Sequence, residues 1–154
     1  MSIVVDIPGR ERLELEHLVL DVNGTLTNRG QLIDGVRGRV AQVATKLVLH
    51  VLSADTFGTL ASVTEELGVQ AQTVANGDDK ARHVAELGAE RCVAIGNGAN
   101  DAPMLDAATL GIAVLGPEGA ASTALRAADI VCASIVDALD LLLDDLALAA
   151  TLRL

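Results

Sequence analysis

The apolar runs of this chain are short and mostly continuous, and that limits the folds open to it. "KLVLHVLS" at 46–53, "RCVAIG" at 91–96, "LGIAVL" at 110–115 and "DIVCAS" at 129–134 do not alternate with polar residues. "VQAQTV" at 69–74 is weaker. "SIVVDI" and "LELEHLVLDV" come first, joined by the turn-like "PGRER"; the second alternates at its start and then becomes continuously apolar. Helical patterns lie between the runs, at about 35–45, 56–67, 79–88, 101–108 and 119–127, with a last helix at about 136–151. Continuous strands separated by amphipathic helices predict a mostly parallel sheet covered on both faces. The expected fold is a single α/β domain over 1–154, doubly wound (Rossmann-like) and three-layered.

Such a sheet needs a core, and 51% hydrophobic residues can supply one. Phe57 is the only aromatic residue, so the core is built from Ala, Val, Leu and Ile. That also removes the stacking platforms of single-strand nucleic-acid binders. A net charge of −10 gives no basic footprint for a phosphate backbone. Cys92 and Cys132 stand far apart inside apolar runs and read as buried free thiols, with no zinc-type spacing. No signal peptide or membrane-spanning run is visible, so the expected location is cytoplasmic.

Doubly wound sheets carry their sites at the carboxyl ends of strands, where strand order reverses. Four polar clusters occupy such ends. The first is Asp21, Asn23, Thr25 and Thr27 in "DVNGTLT"; the second is Ser53-Ala54-Asp55. The third is "NGDDK", ending in Lys80, and the fourth is "GNGANDAPML" at 96–105. Each has a purely structural reading: Asn-Gly as a turn, Ser53, Asp55 and Thr56 as helix caps, Lys80 as a solvated charge, Asp101 as an N-cap. Together they hold an acid, a hydroxyl, a lysine and an amide/acid pair in chain order. Phosphoryl transfer through an aspartyl-phosphate needs that set. A carboxylate attacks phosphorus, a hydroxyl and a lysine hold the phosphoryl oxygens, and grouped oxygen ligands hold Mg²⁺.

Order and wording also resemble the haloacid dehalogenase superfamily of phosphohydrolases. "DVNGTLT", "LHVLSA", Lys80 and "GNGANDAPML" are similar to its four motifs, and the last looks most like the metal loop of P-type ATPases. The likeness spans about 17–131 and is best to soluble relatives of the P-type ATPase phosphorylation domain, with capless sugar-acid phosphatases close behind. It implies Asp21 as nucleophile and Mg²⁺ ligand, and Asn23 as a metal ligand through its carbonyl. It implies Ser53, Lys80, Thr25 and Asn100 around the phosphoryl group, and Asn97 and Asp101 at the metal. The catalytic set is then Asp21, Asn23 and Lys80.

Two positions depart from the family pattern. Its phosphatases usually carry an aspartate where Asn23 stands, as general acid and base. An amide cannot exchange a proton at neutral pH, and positioned acid–base catalysis is worth ~10²–10⁴-fold. The metal loop normally opens Gly-Asp, here Gly96-Asn97, so one negative charge is missing from the cation site. The expectation is therefore a slow Mg²⁺-dependent phosphohydrolase, with a catalytically impaired binding or regulatory protein as the alternative. A dinucleotide-binding reading fails at Asp101, which stands where a third glycine belongs, and no P-loop is present.

The stretches from Leu26 to Ser53 and from Ser53 to Lys80 are too short for a cap domain. A capless site acts on macromolecules or is covered by neighbouring subunits. The expected substrate is a phosphorylated small molecule or macromolecule, and the expected assembly a homo-oligomer, dimer or tetramer. The last helix favours assembly. Leu141, Leu148 and Leu152 lie near the stripe of Asp137, Asp140 and Asp144, so its apolar surface exceeds one core-facing side.

Overall fold

A computed structural model describes residues 1–54 and 60–154. The sheet is six-stranded and wholly parallel, in the order β10-β9-β8-β3-β6-β7. Its members are β3 (His17–Asp21), β6 (Val48–Ser53), β7 (Ala71–Thr73), β8 (Cys92–Gly96), β9 (Leu110–Val114) and β10 (Ile130–Cys132). β8 and β9 are buried at every residue, which is why their sequences do not alternate.

Helices α1 (Val36–Val43), α2 (Leu60–Leu67), α6 (Ile135–Leu142) and α7 (Asp145–Leu152) cover one face, against Leu18, Leu20, Val93, Ile95 and Ile112. Helices α3 (Gly77–Leu87), α4 (Ala102–Ala107) and α5 (Ser122–Ala127) cover the other, against Val19, Leu52, Ala94 and Ala113. Small residues, among them Ala94, Ala113 and Ala124, make up much of that second face. Cys92 is buried and Cys132 only half-buried, both as free thiols, so the second is less enclosed than its sequence suggests.

The first long apolar segment is two strands rather than one. β2 (Leu13–Leu15) pairs antiparallel with β1 (Ile3–Val5), outside the main sheet. At Glu16 the chain enters that sheet: its N–H donates to the Arg91 carbonyl and its carbonyl accepts from Val48 N–H. The change from alternating "LELE" to continuous "HLVLD" marks the passage from a half-exposed ribbon to a doubly covered strand. A short hairpin follows, β4 (Thr27–Asn28) with β5 (Gln31–Leu32), turning on Arg29-Gly30 with both φ positive, as two-residue hairpins require.

The last helix also divides. Asp144 accepts from the Ala147 N–H and so caps α7. Asp140 instead bonds Arg39 at 2.6 Å, tying α6 to α1. The single acid stripe does not exist, and Leu148 and Leu152 are buried within this chain. Of the large hydrophobic residues on α7 only Leu146 is strongly exposed. Asp55, Thr56, Phe57 and the start of the helix expected at 56–67 lie outside the described residues.

All three histidines gather on the α3 side of the sheet. His17 Nδ1 and His50 Nε2 are 3.1 Å apart, and the His50 and His83 ring centroids 5.4 Å. Burial, then the nearby His17 and His83, push His50 down to about 4. The unfolded chain, with its His near 6.5, therefore binds more protons between those values. Stability is expected to fall as pH drops from about 6.5 towards 4, by about 1–2 kcal/mol once partial exposure is discounted. His50→Gln should flatten that part of the profile. Urea unfolding of both proteins at pH 7 and pH 5 is the check, and parallel profiles would remove His50 as the cause.

Candidate active site

The chain leaves β3 for β6 on one side, and later leaves β8 for β9 on the other. The crevice between the carboxyl ends of β3 and β8 is the switch point of the sheet. Asp21 ends β3, and Asn97 follows the last residue of β8.

Lys80 reaches this crevice because of how α3 begins. Asn76 caps the helix by accepting from the Asp79 N–H, and Asp79 accepts in turn from Ala75 N–H. The cap fixes the first turn, and Lys80 then points under the ends of β3 and β8. It is 0% exposed, so it is not a solvated helix charge. Its Nζ donates to Asp21 Oδ1 and Asp101 Oδ1, both at 2.7 Å.

Asp101 is also 0% exposed. Its other oxygen accepts from the N–H groups of Asn97 and Gly98, at 3.0 and 2.9 Å. It stands at the N-cap position of α4 but makes no side-chain bond to that helix, because its carboxylate is turned to the loop and to Lys80. Gly96 permits this arrangement, because a Cβ there would stand 2.5–2.6 Å from the Asp101 side chain. "GNGAND" is thus a loop folded around its own last carboxylate.

Thr25 completes the setting. Its hydroxyl lies 2.9 Å from Asp21 Oδ2 and 3.1 Å from Asn97 Oδ1. Asn97 Nδ2 donates to the Gly119 carbonyl at 3.0 Å, which aims its Oδ1 inwards. Ser53 is buried at the end of β6, one residue past the Leu52 that pairs with Asp21.

In front of Asp21 lies a cavity of about 220 Å³, lined by Asp21, Asn23, Ala54, Asn97, Gly98, Asn100 and Glu118. Lys80, Thr25 and Asp101 stand behind this wall. The side-chain oxygen of Asn23 is buried without a hydrogen-bond partner among the described residues. Burial and the Asp101 charge raise the Asp21 carboxyl to about 7, against the opposing pull of Lys80 and Thr25. Burial alone would lower Lys80, but Asp21 and Asp101 reverse that and raise it. The lysine is therefore a permanent cation and the aspartate an acid that further positive charge would ionise fully.

The structure thus brings together Asp21, Asn23, Thr25, Asn97, Asn100, Asp101 and Lys80, with Ser53 at the neighbouring strand end. Sequence reasoning missed Glu118. It follows β9, and the strand-end rule that singled out the other clusters also covers "GPEG".

A sequence profile of the haloacid dehalogenase-like hydrolases matches residues 52–137, more than half of the chain. The chain belongs to that family. Among curated proteins it is 38% identical over 148 residues to a zinc-exporting P-type ATPase from Mycobacterium marinum. That match takes in 88% of this chain but 19% of the ATPase. It is 52% identical over 64 residues to an uncharacterised Methanocaldococcus jannaschii protein, covering 42% of this chain and 69% of that one. Among solved structures, a 3-deoxy-D-manno-octulosonate 8-phosphate phosphatase from Moraxella catarrhalis, in complex with magnesium and phosphate ions and the sugar acid, superposes with a TM-score of 0.66 at 19% identity. It covers 85% of this chain and 87% of that one. A zinc-transporting ATPase in its E2.Pi state gives 0.63 at 27% identity, over 79% of this chain and 20% of the transporter. The chain spans about a fifth of the P-type ATPases it matches. Among the described residues no helix is long and apolar enough to cross a membrane.

Proposed function

We propose that this family member is a Mg²⁺-dependent phosphohydrolase that works through an aspartyl-phosphate on Asp21. One observation carries the reading: a carboxylate at the switch point is held between a buried ammonium and a hydroxyl, with one side open to a cavity. An Asp21 oxygen attacks phosphorus and the bond to the leaving oxygen breaks; water then attacks the phosphoaspartate and returns the carboxylate. Lys80 aligns Asp21 and opposes the upward pull of burial on its carboxyl, and its charge offsets that of the phosphoryl oxygens. Asp101 positions Lys80 and the 96–101 loop, while Ser53, Thr25 and Asn100 supply polar groups around the phosphoryl position.

The cavity donors suit a hard cation, being carboxylate and amide oxygens. Among the described residues no three of His, Cys, Asp and Glu gather as a full ligand set, so amide and main-chain oxygens of Asn23 and Asn97 would join Asp21. Bound there, Mg²⁺ would supply the positive charge that lets a carboxylate approach a phosphate. The solved structure of the Moraxella phosphatase, which holds magnesium and phosphate, supports this choice.

Asn23 and Asn97 favour a second reading, a weak relative that binds a phosphorylated partner without turning it over. One experiment separates the two. Purified protein with Mg²⁺ is expected to release phosphate slowly from p-nitrophenyl phosphate, and Asp21→Asn to lose at least ~10³-fold, as loss of a covalent nucleophile does. No release by the wild type leaves the binding reading; wild-type rates in Asp21→Asn would rule out the nucleophile. The site takes a phosphorylated small molecule or macromolecule. A dimer or tetramer covering the capless cavity, in the cytoplasm, belongs to the same proposal; sedimentation checks the assembly.

A further inference from the structure

We propose that Glu118 supplies the second carboxylate of the cation site, in place of the charge that residue 97 lacks. This rests on the cation site of the proposed phosphohydrolase. Glu118 belongs to the turn Gly116-Pro117-Glu118-Gly119, closed by the Gly119 N–H donating to the Gly116 carbonyl at 2.9 Å. Proline at the second position presets that turn.

Two bonds tie the segment to the metal loop. Asn97 Nδ2 donates to the Gly119 carbonyl, and the Asn97 carbonyl accepts from Ala121 N–H at 2.8 Å. So fixed, the Glu118 carboxylate abuts Gly24 and lines the cavity with Asp21, Asn23 and Asn97. Gly24 leaves the necessary space: its φ is +77, and a Cβ there would collide with the Glu118 carboxylate and come within 2.9 Å of Asn97 Nδ2.

The charges then account for the departure in the metal loop. Of the carboxylates near the cavity, both oxygens of Asp101 are committed to Lys80 and to two backbone N–H groups. Asp21 and Glu118 are the acids on the wall. An aspartate at 97 could not donate to the Gly119 carbonyl. The amide gives up a charge at the metal and gains a donor that pins the 116–121 segment, which brings a carboxylate back. The charge is relocated from position 97 to position 118. Mg²⁺ is commonly held by one or two carboxylates with waters completing its shell, so a rim carboxylate serves directly or through a water.

Calorimetric titration of Mg²⁺ into the full chain tests this on wild type, Glu118→Gln, Asp21→Asn and the double variant Asn97→Asp/Glu118→Gln. Glu118→Gln should weaken binding by about 10–100-fold. The double variant should regain most of that loss, because it returns the carboxylate to residue 97. Wild-type affinity in Glu118→Gln, with affinity lost in Asp21→Asn, overturns the role of Glu118 and leaves the cation site standing. Unchanged affinity in Glu118→Gln with loss of one limb of the pH–rate profile makes Glu118 an acid–base group and also overturns the proposal. No Mg²⁺ binding by the wild type, or wild-type affinity in Asp21→Asn, removes the cation site itself and this inference with it.

Discussion

Replacing Lys80 by methionine is expected to cost about 3–5 kcal/mol of stability, because it breaks a buried charge cluster by removing one member. Lys80 is 0% exposed and bonds Asp21 and Asp101 at 2.7 Å each. Without it, two buried carboxylates face each other with no cation between them. Methionine keeps most of the stem volume, so the loss reports charge rather than a cavity. The sign with pH is fixed. Asp21, already raised by burial and by the Asp101 charge, loses the ammonium that pulls it down, so the variant gains relative stability as pH falls and this carboxyl takes up its proton. Urea unfolding at pH 7.5 and 5.5 should show the larger deficit at 7.5. A deficit below 1 kcal/mol at both would mean that the lysine is dispensable to the fold. Phosphate release should vanish with the same substitution.

The second large effect runs the other way. Asn23→Asp is expected to raise turnover by ~10²-fold or more, since it restores a group that can give a proton to the leaving oxygen and then take one from water. The structure sharpens that expectation. The Asn23 side-chain oxygen is buried beside Asp21 with no partner among the described residues. A carboxyl placed there is pushed upwards by burial and a neighbouring acid, towards the range a general acid needs. The gain should be larger for alkyl phosphates, whose leaving groups need the proton, than for p-nitrophenyl phosphate. Rates on both substrate classes measure it. Equal rates in wild type and variant would show that another step or another residue already does this work.

The sequence made some of this legible for a plain reason: strands covered on both faces cannot alternate, and acids at their ends have few structural uses. "HLVLD" and "CVAIG" therefore showed both the sheet and its crevice. Contacts between distant residues were hidden. Nothing local to "NGDDK" says that Lys80 is buried, because its partners Asp21 and Asp101 are distant in the chain. The histidine trio is hidden in the same way. The helix break at Asp144 had a local signal, an acid three residues before Ala147, masked by the leucine run around it. Glu118 lacked a motif, and only the third dimension brings its loop over Gly24.

Thr25 carries a single hydroxyl proton and stands between two acceptors, Asp21 Oδ2 and Asn97 Oδ1. It is buried, so no water competes for that proton. When Asp21 is a carboxylate, its full negative charge is the stronger acceptor. When Asp21 is protonated that advantage is gone, and the hydroxyl is expected to turn to the amide. Asn97 is the same amide that grips Gly119. One hydroxyl and one amide plane thus join the aspartate that ends β3 to the turn that follows β9, through side chains alone.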